Sequence, residues 1–461
     1  MSRIFDTFRK NALLQKNKTA IICNNETVNY AELLNKIEET AECLRQSGCV
    51  AGTVVGILQS KSIDYAVYLF AALKLNAVVV PFNTGWTKAE IDDAVINADV
   101  GIMISEGTII IVNGMAKNLP EDCVFLMTSG STGVPKIVRL TETAMKVRLD
   151  MEVDEFNLSS DDIILISTPA YHSLGLRLLM TSLYIGSKVI MPKTFTPHGW
   201  INDVNEYKVS YTITVPSHIK QILAEINGDY TGYLEKLKSI RIILSTSAYL
   251  PEDLKSEFAK VISGKFYNFI ASSETEFIAK LDCKSQKGNN VLGFPFDKTK
   301  LAILKEKNEF AKPGDVGEII CSSDQLFHGY YKNDEMTNNA FINGYYRTGD
   351  LGFLDEDGCL HYAGRKKNVV ICSGVNIYPC DIEAILKKCD GITDCVAYAV
   401  SNDRCGEVLA VMVATQTLTI SDIKRYCLDN LAVYQQPRII KLVDVIPRNE
   451  MGKIVWDTIK G

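Results

Sequence analysis

The chain has 461 residues, 47% hydrophobic and 23% charged, with a net charge of −6. That length calls for two to four compact domains with ample core. The acidic balance gives nucleic acid no electrostatic footprint, and the longest apolar stretch, Ala66 to Phe82, is broken by Lys74 and Asn76 before it could span a bilayer.

Residues 1–15 alternate Arg3, Asp6, Arg9 and Lys10 with Ile4, Phe5, Phe8 and Leu13. With an acidic residue and no apolar run or cleavage site, this segment reads as a plain surface helix rather than a targeting helix. Leu33, Leu34, Ile37, Ala41 and Leu44 recur at helical spacing, and Val54 to Leu58 is an apolar run of strand length. A helix over Ala66 to Leu73 leads to a strand at Ala77 to Val80. Further strands are expected at Ile163 to Ile166, Lys188 to Met191, Tyr211 to Val215 and Ile240 to Leu244, with helices such as Ile219 to Ile226 between them. Strands apolar on both faces and joined by helices predict α/β layers with largely parallel sheets up to about residue 275.

From about Asp297 to Gly364 the pattern changes to short strands and tight turns, among them Lys312-Pro313-Gly314-Asp315 and Asp355-Glu356-Asp357-Gly358. A smaller, mostly antiparallel β subdomain is expected there. A charged junction, Gly364-Arg365-Lys366-Lys367-Asn368, precedes about a hundred residues of mixed strands (396–400, 408–414) and helices (381–388, 421–430). The fold expected is therefore α/β, with a large domain over 1–365 and a small α+β domain over 366–461. The thirteen cysteines form no Cys-x-x-Cys pair and no Cys/His cluster with zinc spacing. They read as reduced, buried small hydrophobes of a cytoplasmic protein.

One segment stands out, Thr128-Ser129-Gly130-Ser131-Thr132-Gly133-Val134-Pro135-Lys136. Cys123 to Met127 enters it and Ile137 to Leu140 leaves it, both with strand composition, so it is a strand–loop–strand element. The Walker and Rossmann phosphate loops each need a helix directly after their glycines. Lys136 also follows Pro135 and has no Ser or Thr behind it, which excludes the Walker spacing. Four hydroxyls, two glycines and one ammonium within nine residues suit phosphate oxygens all the same. The competing reading is a flexible Ser/Gly surface loop.

The loop resembles the phosphate-binding signature of the adenylate-forming superfamily, which includes acyl-CoA and aryl-CoA synthetases, nonribosomal adenylation domains and firefly luciferase. Three more segments resemble that family in the same order: Tyr346-Arg347-Thr348-Gly349-Asp350-Leu351-Gly352 its ribose motif, Gly364-Arg365-Lys366-Lys367 with Ser373-Gly374-Val375-Asn376-Ile377-Tyr378-Pro379 its hinge and following loop, and Pro447-Arg448-Asn449-Glu450-Met451-Gly452-Lys453 its C-terminal lysine motif. The resemblance spans residues 128–453. It implies ATP-dependent activation of a carboxylic acid as an acyl-AMP with loss of pyrophosphate, then transfer to a thiol, with ATP, Mg²⁺ and CoA or a carrier protein's phosphopantetheine as cofactors. An acyl or aryl acid and an acyl or aryl carrier protein are the partners it implies.

The same resemblance distributes roles. Thr128 to Gly133 and Lys136 would hold the phosphates, and Asp350 would accept from the two ribose hydroxyls through its two carboxylate oxygens. Arg365 would reach the ribose or phosphate. Glu274, at the end of Ala271-Ser272-Ser273-Glu274, would hold Mg²⁺. Adenylation builds negative charge at phosphorus, so it needs positioning and positive charge more than acid–base chemistry. Lys453 would bridge the carboxylate and the α-phosphate. Lys367 sits at the hinge position about which the small domain turns, and Gly374 follows it in the loop lining the thiol tunnel. His172 would stand beside the acid pocket, where amino-acid-activating domains carry an aspartate that this chain lacks. Ile270-Ala271 replaces the usual Tyr-Gly, Ser245-Thr246-Ser247-Ala248 stands where Gly-Gly-Ala is common, and Val375 stands where CoA ligases often have glutamate. These departures leave an acyl-AMP ligase that loads a carrier protein as the alternative. A nucleotide-binding relative without turnover is a third reading, opposed by the retained Lys136, Glu274, Asp350 and Lys453.

Overall fold

The computed structural model describes residues 2–460 except 113–118, 120, 129–135, 286, 287, 289, 373, 374, 403–405 and 450–453, and the backbone alone of 307, 371, 375, 376, 406, 457 and 460. Its spine is a run of six parallel strands in the spatial order Thr19–Cys23, Lys188–Ile190, Ile163–Leu165, Tyr211–Thr214, Ile242–Ser245, Lys265–Ile270. Tyr211–Thr214 and Ile242–Ser245 are buried along their whole length, which is what continuous β-branched and apolar runs require when helices cover both faces. A second sheet joins Val78–Pro81, Val54–Leu58 and Ile102–Ser105 in parallel to Asp122–Thr128, the strand that enters the glycine-rich loop. The expected α/β layering is present.

The β region differs from its expected form. Lys265–Ile270 pairs antiparallel with Ala279–Asp282, and the ladder runs on through Val291–Pro295, Leu360–Arg365, Tyr345–Leu354, Gly317–Ser322 and Lys300–Leu304. The small β subdomain is therefore hydrogen-bonded into the main sheet, and it begins at Val291 rather than near Asp297. The cause is the free edge of Lys265–Ile270, which a hairpin extends more readily than a helix can cover.

The first helix, Arg3–Leu14, is more than a surface helix, because Ile4, Phe5, Phe8 and Ala12 are fully buried and Phe8 packs 4.8 Å from the Phe70 ring. The cysteine reading also needs correction. Cys43 is exposed on the polar side of the helix Tyr30–Gln46, and Cys372, Cys380 and Cys389 are half-buried. Asp355, Cys359 and His361 do converge, with ligand atoms within 4.8 Å of one another, although no zinc spacing was legible there. Hydrogen bonds of the turn itself account for that grouping, since Asp355 accepts from the Cys359 amide at 2.8 Å and lies 2.9 Å from the His361 ring.

Beyond Lys366–Asn368, a single 3₁₀ turn, the strands Val370–Cys372, Val375–Ile377, Asp394–Asn402, Gly406–Ala414 and Ile439–Val443 form a separate sheet. Ile382, Leu386, Leu409, Val411 and Ile423 make its core with the helices Pro379–Leu386 and Ile420–Asn430. Among the described residues no helix is long and apolar enough to cross a membrane.

Candidate active site

The glycine-rich loop closes a β-hairpin. Asp122–Thr128 and Lys136–Thr141 pair antiparallel, with Thr128 opposite Lys136 and the Thr128 hydroxyl 3.4 Å from the Lys136 carbonyl. The strand–loop–strand setting holds, and both ends of the loop are fixed by the ladder. Ser129, Gly130, Ser131, Thr132 and Gly133 lie outside the described residues. The short strand Gly329–Tyr330 runs along Val138 and Arg139 and so lies beside the lysine end of the hairpin.

Tyr330 was not anticipated from the sequence, yet it joins two of the candidate residues. Its hydroxyl donates to Glu274 Oε1 at 3.0 Å, and the Lys136 ammonium lies 5.4 Å from its ring centroid. Burial and the neighbouring Glu274 push the phenol far above its ordinary range, so it stays a donor. No described residue donates to the other Glu274 oxygen, which leaves one hard carboxylate oxygen on a half-buried side chain suited to a divalent cation. The residues fit Mg²⁺.

Asp350 and Arg365 face each other across adjacent strands, Tyr345–Leu354 and Leu360–Arg365. Arg365 Nε donates to Asp350 Oδ1 at 2.8 Å. Burial raises the Asp350 carboxyl, against the pull of Arg365, and both Glu274 and Lys367 are near enough to act on it. One residue on, Lys366 donates to Glu318 at 3.1 Å, and Arg347 donates to the same carboxylate oxygen at 2.7 Å. Lys367 is exposed in the 3₁₀ turn.

His172 precedes the helix Ser173–Ile185, its ring 4.6 Å from that of Tyr171. Gly175 lets this helix start close to the preceding chain, since a Cβ there would meet the Pro169 carbonyl at 2.2 Å. Ser173 donates to Glu276 Oε2 at 3.0 Å, so the helix start and the turn Ser272 to Glu276 are tied together. In that turn the Glu276 amide donates to the Ser272 carbonyl at 2.9 Å. Ala271, Ser272 and Ser273 are half-buried.

Two departures from the family pattern acquire a physical form. Thr246 donates to the Phe269 carbonyl at 2.8 Å, which locks the strand end beside Ile270. Ser247 holds φ 79°, a left-handed conformation that favours glycine. Ser247→Gly is therefore expected to raise stability by about 0.5–1 kcal/mol, read as a higher midpoint in urea. An unchanged or lower midpoint would show that the backbone is relaxed there.

His218, on the helix Pro216–Ile226, is buried and stacked 3.5 Å from the Phe195 ring. Burial, with nearby Lys61, pushes its imidazole down to about 4 from 6.5. The unfolded chain then takes up a proton before the folded one. The stability from this group is intact above pH 6.5 and is lost as pH falls toward about 4. Over that window His218→Gln should unfold less readily with acid than the parent, by on the order of 2–3 kcal/mol at its lower end, in denaturation midpoints measured against pH.

The structure thus gathers Lys136, Glu274, Asp350 and Arg365, with Lys367 within electrostatic reach, from three distant stretches of chain. It ties the helix of His172 to the Glu274 turn. Gly374 and Lys453 lie outside the described residues. Arg148 and Glu276 were missed altogether. Arg148 and Glu152 stand four apart on the helix Glu142–Phe156, the spacing common to exposed ion pairs, and both are fully buried. Tyr330 carried only the weak signal of Gly329-Tyr330-Tyr331 ahead of a polar turn.

A hairpin closed by a glycine-rich loop and a mixed sheet continued by an antiparallel β region, followed by a small α+β unit, make up the fold. The model of the AMP-binding enzyme family matches residues 8–122 and 112–331, and that of the AMP-binding enzyme C-terminal domain matches residues 381–453. The chain belongs to the AMP-binding enzyme family. It is 26% identical to a feruloyl-CoA synthase of Amycolatopsis sp over 97% of this chain and 96% of that one. It is equally 26% identical to an indoleacetate–CoA ligase of Aromatoleum aromaticum, over 98% and 96%. The ATP-bound crystal structure of MatB from Rhodopseudomonas palustris shares its fold with a TM-score of 0.89 at 22% identity, covering 99% of this chain and 98% of that one.

Proposed function

We propose that this protein is an acid–thiol ligase that joins a carboxylic acid to AMP and then passes the acyl group to the thiol of coenzyme A. The observation that carries this reading is the meeting of Lys136 and Tyr330 from one sheet with Glu274, Asp350 and Arg365 from another. In the first half-reaction the substrate carboxylate attacks the α-phosphorus of ATP and pyrophosphate leaves. Thr128 to Gly133 and Lys136 hold the phosphates, Asp350 and Arg365 the ribose, and His172 borders the acid. Mg²⁺ bound at Glu274 would supply positive charge to the phosphate oxygens. Lys453 places an ammonium between the carboxylate and the α-phosphate. In the second half-reaction residues 366–461 turn about Lys367 as one domain against 1–365, bringing the loop at Gly374 toward the thiol.

The curated relatives named above support coenzyme A as the acceptor. The deciding experiment measures pyrophosphate release across a panel of aliphatic and aryl acids, with and without coenzyme A. Release that depends on one acid, with an acyl-CoA product, is expected. No release with any acid would sink the ligase reading, and release without acyl-CoA would move the acceptor to a carrier protein.

A further inference from the structure

The strongest feature outside the roles already assigned is a charge network with almost no exposure to solvent. Arg148, Glu152, Arg177 and Glu276 are all buried. Arg177 Nε donates to Glu276 Oε1 at 2.7 Å, Arg148 Nη1 lies 3.3 Å from Glu276 Oε2, and Arg177 also pairs with Glu152. The Tyr211 and Thr181 hydroxyls donate to Glu152 at 2.8 and 2.6 Å.

What this network grips is the turn that carries Glu274. Arg148 donates to the Ser273 carbonyl from both terminal nitrogens at 3.1 Å and to the Glu274 carbonyl at 3.0 Å, while its Nε donates to the Gln325 carbonyl at 2.9 Å. The carbonyls of Ser273 and Glu274 belong to the peptide planes on either side of the Glu274 Cα. One rigid guanidinium therefore fixes both planes and, with them, the direction in which the Glu274 side chain leaves the chain. Two residues later Glu276 holds φ 59°, a left-handed backbone on a residue with a side chain, at the point where it returns to the same guanidinium. Strain kept in place by several bonds marks a turn whose shape is over-determined.

We propose that Arg148 and Glu276 are positioning residues that aim the Glu274 carboxylate at the metal–phosphate group, and that through Ser173 the same pair couples this turn to the helix bearing His172. The proposal rests on the ligase reading above, in which Glu274 holds Mg²⁺. Arg148→Lys keeps a cation beside Glu276 but cannot bond both flanking carbonyls in one plane. Titration calorimetry with MgATP and with AMP then separates positioning from bulk stability, because AMP lacks the β- and γ-phosphates whose charge Mg²⁺ at Glu274 would offset.

The expected result is an MgATP affinity lowered by about 10-fold or more, with AMP affinity within about 2-fold of the parent. In a Glu274→Gln background, Arg148→Lys should weaken MgATP no further. Equal losses for MgATP and AMP, or full additivity with Glu274→Gln, would overturn the proposal. Should Arg148→Lys fail to fold, Ser173→Ala removes one bond to Glu276, and it should weaken MgATP by a few fold with AMP spared. Parallel changes in both nucleotides would overturn the proposal there too. A parent protein that binds MgATP no better than buffer defeats the ligase reading itself, an outcome distinct from additivity in a protein that binds it.

Discussion

Replacing Arg148 with methionine is expected to lower the unfolding free energy by about 3–5 kcal/mol, the usual cost of removing one partner from a buried ion pair. Methionine fills much the same volume, so lost packing is a small part of the effect. The larger part comes from what stays behind. Glu276 remains buried with one guanidinium instead of two, and the carbonyls of Ser273, Glu274 and Gln325 lose a charged donor. Each unmet buried acceptor costs about 1–3 kcal/mol. Urea denaturation should show a lower midpoint with an unchanged slope. A loss below about 1 kcal/mol would mean that water or a shifted side chain takes over the bonds. Arg148→Lys should fall between parent and methionine, which makes the pair of variants a graded test.

Lys453→Ala should reduce acyl-AMP formation by about 10²–10³-fold, the range seen when a single preorganised charge or donor is removed from a developing anion. Thioester formation from supplied acyl-AMP should be kept within several-fold. The asymmetry follows from the proposed roles: an ammonium bridging carboxylate and α-phosphate would stand where the thiol must later arrive, so one arrangement of the domains could not serve both steps. The check is two assays on one preparation, pyrophosphate exchange for the first half-reaction and thioester release for the second. Equal losses in both would defeat the two-state account of residues 366–461.

The parts of the fold that the sequence made legible are those where local pattern and burial agree. Val54–Leu58, Tyr211–Thr214 and Ile242–Ser245 are runs rich in apolar and β-branched residues and are largely buried strands. The helix Tyr30–Gln46 buries Leu33, Leu34, Ile37, Ala41 and Leu44, the residues of its stripe. Lys136, Glu274, Asp350 and Arg365 were legible through the family resemblance, and the structure places them near one another. What stayed hidden was long-range. Arg148 and Glu152 have the spacing of a solvated pair, and only partners 128 and 29 residues away make them interior groups. The continuation of the parallel sheet into the β region is likewise a matter of which edge stays open, and no residue announces it. Tyr330 depends on the register of a two-residue strand against Arg139 and Val138.

One carboxylate has a mechanical role out of proportion to its size. Glu318 on Gly317–Ser322 grips Arg347 from the neighbouring strand and Lys366 at the start of the connecting turn, with the same oxygen. It works like the fixed collar of a bearing, because torque arriving through the turn meets a clamp before it reaches the strands that hold Asp350 and Arg365. A swing of the small domain about Lys367 would then spend itself in one residue of backbone and leave the ribose contacts undisturbed. Under the proposed mechanism, residues 366–461 would then change their position without loosening the hold on the nucleotide.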